Sequence, residues 1–221
     1  MGALPDPCLD QWQKGGGPYQ SDGAVLSLTK RSTGDKPDPD LFIFGVPGFF
    51  KGYAPSYSKK ALADKRHFTW LVRKGHTGNT GGVVKLQSKD PRDVPDIRFR
   101  YFHAGTTTGG AHQRDLDAVI NGVELVRSIN KTTDTIDLFD KPLEEVPDKG
   151  VASREQIGDG IKNESWGHHP SCTCRIGAAD DSTGAPAEPM PVTFSSDMTH
   201  DCWRSADMNL IGGSATITPG V

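Results

Sequence analysis

Five short apolar or alternating runs succeed one another between residues 24 and 102, and a single long stretch of helical spacing follows them. Strands first and helices later, joined by short links, predict an α+β fold. The expected form is an antiparallel β-sheet of about five to six strands with helices on one face. The runs are 24–32, 41–46, 67–75, 83–89 and 96–102. Leu41–Phe44 is continuously apolar, as a fully buried strand is, whereas Phe68, Trp70 and Val72 alternate with polar neighbours. After the turn Gly78-Asn79-Thr80-Gly81-Gly82 the pattern resumes at Val84 and Leu86, which reads as a hairpin between the third and fourth runs. From residue 112 to 130, Leu116, Val119, Ile120, Val123, Val126 and Ile129 recur at helical spacing. Ser153-Arg154-Glu155-Gln156 has the form of a capping box and opens a second helix. Shorter helices are expected around Leu9–Gln13 and Lys59–Asp64.

Composition agrees with a turn-rich, globular chain. The 221 residues include 26 Gly and 16 Pro, well above the average shares of about 7% and 5%. That excess argues against a helical bundle or a coiled coil. A net charge of −3, from 25 basic and 28 acidic residues that are well mixed, predicts neither a nucleic-acid nor a membrane surface. No apolar run reaches the ~18 residues of a membrane span, and the first ten residues lack the basic-then-apolar pattern of a secretory signal. A cytoplasmic location is therefore expected. In that compartment Cys8, Cys172, Cys174 and Cys202 are expected as free thiols. The spacings among His168, His169, Cys172, Cys174, His200 and Cys202 match no usual structural zinc site, so no metal is expected.

Two segments carry chemistry. The first is Ser165-Trp166-Gly167-His168-His169-Pro170-Ser171-Cys172-Thr173-Cys174-Arg175-Ile176-Gly177. Histidine alone has an unperturbed pKa near neutrality, which suits a general base; adjacent loop histidines are also commonly plain surface residues. The second is the aromatic tract from Leu41 to Tyr57, with Phe42, Phe44, Phe49, Phe50, Tyr53 and Tyr57. Phe42 and Phe44 fit a strand core, while Phe49, Phe50 and Tyr53 stand among Gly48, Gly52 and Pro55 and suit either a core or a substrate cavity.

Taken together these residues resemble the C-terminal half of the glucose–methanol–choline (GMC) oxidoreductases. The resemblance runs through Asp6-Pro7-Cys8-Leu9-Asp10-Gln11-Trp12, the sheet segments Pro39–Gly45, Gly82–Pro91 and Pro95–Ile97, and the helix from Asp115 to Arg127. It is sharpest at His168–Gly177, against a family pattern His-Pro-x-Gly-Thr-Cys-Arg-Met-Gly, with Cys172 in place of the glycine and Ile176 in place of the methionine. The resemblance implies an FAD-dependent oxidation of an alcohol CH–OH group, with His169 as the general base. It further implies His168 and Trp166 as site-orienting residues and Phe44, Phe49, Phe50 and Tyr53 as the substrate wall. Gly213 and Ser214, in Met208–Ala215, would face the flavin. Pro170 pushes His169 towards an extended backbone, where neighbouring side chains face opposite ways; His169 rather than His168 is therefore expected to address the cavity.

The sequence contains no G-x-G-x-x-G after a strand and no phosphate-binding P-loop. The implied FAD site is thus incomplete within these residues, and an FAD-binding domain acting in trans is the implied partner beside a small-molecule alcohol. The organisation expected is a loop-rich lead-in over 1–23, a substrate-binding α+β domain over 24–177, and a loop with a partial flavin-facing segment over 178–221. The alternative functions are a non-catalytic binding module, a subunit completed by a separate FAD-binding chain, or an inactive truncated product.

Overall fold

The computed structural model describes residues 5–21, 23–24, 26–63, 67–103, 109–135, 144–146, 153–169, 176–177, 185–186 and 207–216. The chain opens with helix α1 (Pro7–Gln13), whose N-cap Asp6 accepts hydrogen bonds from the Cys8 and Leu9 amides, and a 3-10 turn at Pro18–Gln20. Strands β1 (Leu26–Lys30) and β2 (Leu41–Pro47), helix α2 (Tyr57–Ala63) and strand β3 (His67–Lys74) follow. Then come the short strands β4 (Val83–Lys85) and β5 (Asp96–Arg98), the long helix α3 (Ala111–Thr135) and β6 (Glu144–Val146). Helix α4 (Arg154–Glu164), β7 (Trp166–His169), β8 (Ile176–Gly177), β9 (Ala185–Pro186) and β10 (Asp207–Thr216) complete the order.

Six strands form one antiparallel sheet in the order β1-β2-β3-β10-β6, with β7 also paired to β10. The α+β expectation holds, but the membership of the sheet differs from the one read in sequence. β4 does not pair with β3; it pairs with β5 as a separate two-stranded ribbon, Val84 opposite Ile97. The edge of β3 expected to hold β4 is taken by β10, from Met208 opposite Lys74 to Thr216 opposite His67. Alternation shows that a segment suits a strand; it carries no information on which edge that strand meets. β8 and β9 form a short parallel pair of their own.

The core lies between this sheet and its helices. Leu41, Ile43, Trp70 and Val72 from β2 and β3 meet Leu116, Val119, Ile120, Val123 and Val126 of α3, with Ile157 and Ile161 of α4 packed behind. These α3 positions are the ones whose 3.6-residue spacing marks the helix in sequence. Gly122 sets the distance between layers: a Cβ there would stand 2.5 Å from Val72 Cγ1. Glycine in mid-helix costs roughly 1 kcal/mol of propensity, and here close approach to the sheet requires it. The Trp70 indole N–H donates to Asn130 Oδ1 at 3.2 Å, so the buried ring is also polar-satisfied. α4 starts on Ser153 with both capping-box hydrogen bonds formed, as its sequence predicts.

At the C-terminal end of β3 a charged cluster is wholly buried. Lys74, 1% exposed, lies 3.3 Å from Asp40 Oδ2 and 3.9 Å from Asp115 Oδ1. Its ammonium also donates to the carbonyls of Gly75 (2.5 Å) and His76 (3.1 Å). Asp40 accepts from the Ser32 amide and hydroxyl, both at 2.6 Å. Asp115 accepts from the amides of Gly78 and Asn79. The glycine turn after β3 is therefore fastened to the first turns of α3. Burial pulls the Lys74 pKa down, partly opposed by Asp115 and Asp40, and it ends below the usual lysine value. For Asp40, burial pushes upward, but the Ser32 hydrogen bonds and Lys74 outweigh it, so the carboxyl ends below its usual value.

Candidate functional site

The loop after β2 turns three times through left-handed backbone, at Gly48 (φ 119°), Gly52 (φ 102°) and Ser56 (φ 65°). Glycine removes the Cβ penalty at the first two. The turn at Gly48 closes on α2: a Cβ there would meet the Ala61 carbonyl oxygen at 2.7 Å, and the Phe49 amide donates to that same oxygen at 3.0 Å. The Gly48 amide donates to the His67 carbonyl at 2.7 Å. Thr69, fully buried in β3, completes the attachment. Its hydroxyl accepts from the Phe50 amide at 3.0 Å and donates to the Gly48 carbonyl at 2.5 Å.

This loop gathers a cluster of rings with Trp166, the first residue of β7. Phe50 and Tyr53 lie 5.3 Å apart between centroids, Phe50 and Trp166 5.7 Å, and Tyr53 and Trp166 5.3 Å. Tyr57 closes the group at 4.8 Å from Tyr53 and 5.7 Å from Phe50. Every pair is edge to face, with interplanar angles of 73–87°. Edge-to-face pairs set positive ring edges against negative faces, a favourable arrangement of the ring quadrupoles. Gly52 allows the approach: a Cβ there would come within 3.1–3.3 Å of the Trp166 indole. The rim of the cluster is open, with Tyr53 53% and Tyr57 40% exposed.

Of the expected substrate-wall residues, Phe50 and Tyr53 meet in this cluster, together with the expected site-orienting Trp166. Phe49 turns elsewhere; its ring packs on His67 at 4.5 Å and carries the Lys51 ammonium 4.9 Å above its centroid. Phe44 stacks on Phe42 at 5.4 Å along β2. Tyr57 belongs to the cluster although it is not among the expected site residues; its place in the aromatic tract was the available signal. Thr69 had no such signal, since a threonine inside a strand is ordinary by composition.

β7 and β10 bring the histidine segment and the glycine segment to one part of the sheet. Trp166 is paired with Asn209, and His169 with Asp207. Three steps along β7 match two along β10, so the pairing is irregular between them. In β10, three steps from Ile211 to Ser214 match two steps on β3 from Leu71 to Thr69. The extra residue falls at Gly212-Gly213. A glycine bulge leaves backbone that a flat ligand can approach closely. The rest of the expected motif, residues 170–175, and Cys172, Cys174, His200 and Cys202 lie outside the described residues. Among the described residues no three His, Cys, Asp or Glu side chains are grouped to hold a metal ion. No described helix is long and apolar enough to cross a membrane.

A family model described as GMC oxidoreductase, for its C-terminal region, matches residues 78–185. An oxygen-dependent choline dehydrogenase of Rhizobium etli (strain CIAT 652) is 31% identical over 175 residues, 77% of this chain and 29% of the relative. Another, of Rhizobium meliloti (strain 1021), is 32% identical over 154 residues, 68% of this chain and 25% of the relative. A third, of Pseudomonas aeruginosa (strain LESB58), is 30% identical over 100 residues, covering 45% and 16%. The chain spans less than a third of the length of the curated relatives it matches. Matched over residues 78–185 by this family model and over 77% of its length by a relative 31% identical to it, the chain belongs to the GMC oxidoreductase family.

Proposed function

We propose that this chain forms the substrate-facing part of an FAD-dependent oxidoreductase acting on the CH–OH group of an alcohol. The observation that carries this reading is the pairing of β10 with both β7 and β3. It sets the His168-His169 segment, the Gly212-Gly213 bulge and the ring cluster containing Trp166 within one region of the sheet.

FAD, when bound, would supply the hydride acceptor for the carbinol carbon. Gly213 and Ser214 are the residues of this chain that would lie along its ring. His169 takes the hydroxyl proton at an imidazole nitrogen, which raises the electron density on the carbinol oxygen as the C–H bond breaks. His168 and Trp166 orient the site, and Phe50, Tyr53 and Tyr57 hold the substrate body against the base. The expected wall residues Phe44 and Phe49 take no part in the ring cluster, and the wall is assigned to the other three. An FAD-binding domain supplies the remaining contacts to the cofactor. The working division remains a lead-in over 1–23, a substrate domain over 24–177 and a flavin-facing segment over 178–221.

The cluster supports an alcohol whose body is apolar or cationic. Ring faces attract a quaternary ammonium within about 6 Å of the centroid, and the similar proteins of Rhizobium and Pseudomonas are named choline dehydrogenases. The test is flavin reduction in an assembly of this chain with an FAD-binding domain, using choline and benzyl alcohol as substrates. The His169→Ala variant should lose about 10²-fold or more in rate, the scale of general-base catalysis, and His168→Ala much less. Equal losses, or the reverse order, would remove His169 as the base. Absence of any flavin reduction by the wild-type assembly would favour the non-catalytic binding module.

A further inference from the structure

We propose that Thr69 is a positioning residue for the ring cluster, its hydroxyl setting where Phe50, Tyr53 and Tyr57 stand relative to the flavin-facing strand; the inference rests on the reading of that cluster as a substrate wall. Thr69 is fully buried, and its two hydrogen bonds both go to the aromatic loop, one to the Phe50 amide and one to the Gly48 carbonyl. A buried hydroxyl left without partners costs free energy, so these bonds restrain the loop to one height above β3. From Phe50 the chain runs on through Gly52 and Tyr53 to the turn closed by the Tyr57 amide on the Ala54 carbonyl at 2.9 Å. Thr69 is also a junction in the sheet. Across β2 it stands opposite Val46, from which the aromatic loop departs, and across β10 it stands opposite Ser214, the residue that follows the glycine bulge. One residue therefore joins the ring-bearing loop, through its side chain, to the strand nearest the proposed cofactor, through its backbone.

Two variants separate this role from ordinary packing. Thr69→Val keeps the shape and removes both hydrogen bonds, and Thr69→Ser keeps the hydroxyl. Three measurements on the full chain read the outcome: hydrogen exchange at the Phe50 amide, the near-ultraviolet circular dichroism of the coupled rings, and binding of tetramethylammonium chloride and benzyl alcohol followed by tryptophan fluorescence. Thr69→Val should speed exchange at Phe50 by tenfold or more, flatten the ring signal and weaken probe binding by at least tenfold. Thr69→Ser should stay within about threefold of wild type in all three, with far-ultraviolet signals unchanged. A Thr69→Val chain that keeps Phe50 protection or probe affinity overturns the proposal. If that variant fails to fold, rapid exchange of the Phe50 amide in the wild-type chain overturns it instead, and slow exchange retained by Thr69→Ser supports it. Wild-type binding of benzyl alcohol without tetramethylammonium removes the quaternary-amine reading and leaves Thr69 tested by the alcohol. Binding of neither probe removes the wall and the proposal together.

Discussion

The two ends of β3 (His67–Lys74) solve opposite problems within one strand. At its C-terminal end Lys74 is enclosed with two carboxylates, and each charged group is supplied with further hydrogen bonds. Near its N-terminal end Thr69 supports a loop whose rings stay open to solvent at Tyr53 and Tyr57. A buried ion pair is expensive to desolvate and repays that cost only when geometry and satisfaction are complete, so the Lys74 end is a fastening between β3, the following turn and α3. Open aromatic surface gives little to the fold and is available to a ligand. The contrast separates residues expected to hold the fold together from residues proposed to hold a ligand.

The largest effect is expected at the closed end. Lys74→Met leaves Asp115 buried without its Lys74 partner and Asp40 with only the more exposed Lys36 at 3.9 Å, and breaking a buried pair typically costs 3–5 kcal/mol. Urea denaturation should show a correspondingly lower midpoint, and a loss under about 1 kcal/mol would mean that the cluster is not structurally coupled as described. Gly52→Ala probes the open end. Its φ of 102° and the Trp166 indole 3.1–3.3 Å away both resist a methyl group, and such strain costs on the order of 1–3 kcal/mol. The ring dichroism should fall while the helical signal persists; an unchanged ring spectrum would show that Gly52 does not govern how Trp166 joins the cluster. The smallest effect is graded with pH. The folded pKa of Asp40 lies below its unfolded value of about 3.9, so the unfolded chain binds more protons in acid. Its stabilisation is complete above that unfolded value and declines as pH falls through the folded value. Measured between pH 5 and pH 2.5, the decline should be shallower in Asp40→Asn; parallel slopes would remove Asp40 as a source of acid sensitivity.

Much of the architecture is legible in the sequence. Helical spacing from Leu116 to Val126 marks the buried stripe of α3, Ser153 and Gln156 mark the start of α4, and alternation marks β3, because these signals act over a few residues. The aromatic tract likewise holds Phe50 and Tyr53, two of the rings that meet Trp166. Tertiary structure alone decided that β10 rather than β4 lies beside β3, that Trp166 reaches rings more than a hundred residues earlier, and that Phe44 and Phe49 do not. It also decided that Lys74 is buried between Asp40 and Asp115, and that the Thr69 hydroxyl carries the loop. Periodicity reports how a segment presents its side chains; which distant segment meets them depends on the burial and hydrogen bonding of the whole sheet, a sum over long-range contacts to which no local pattern corresponds.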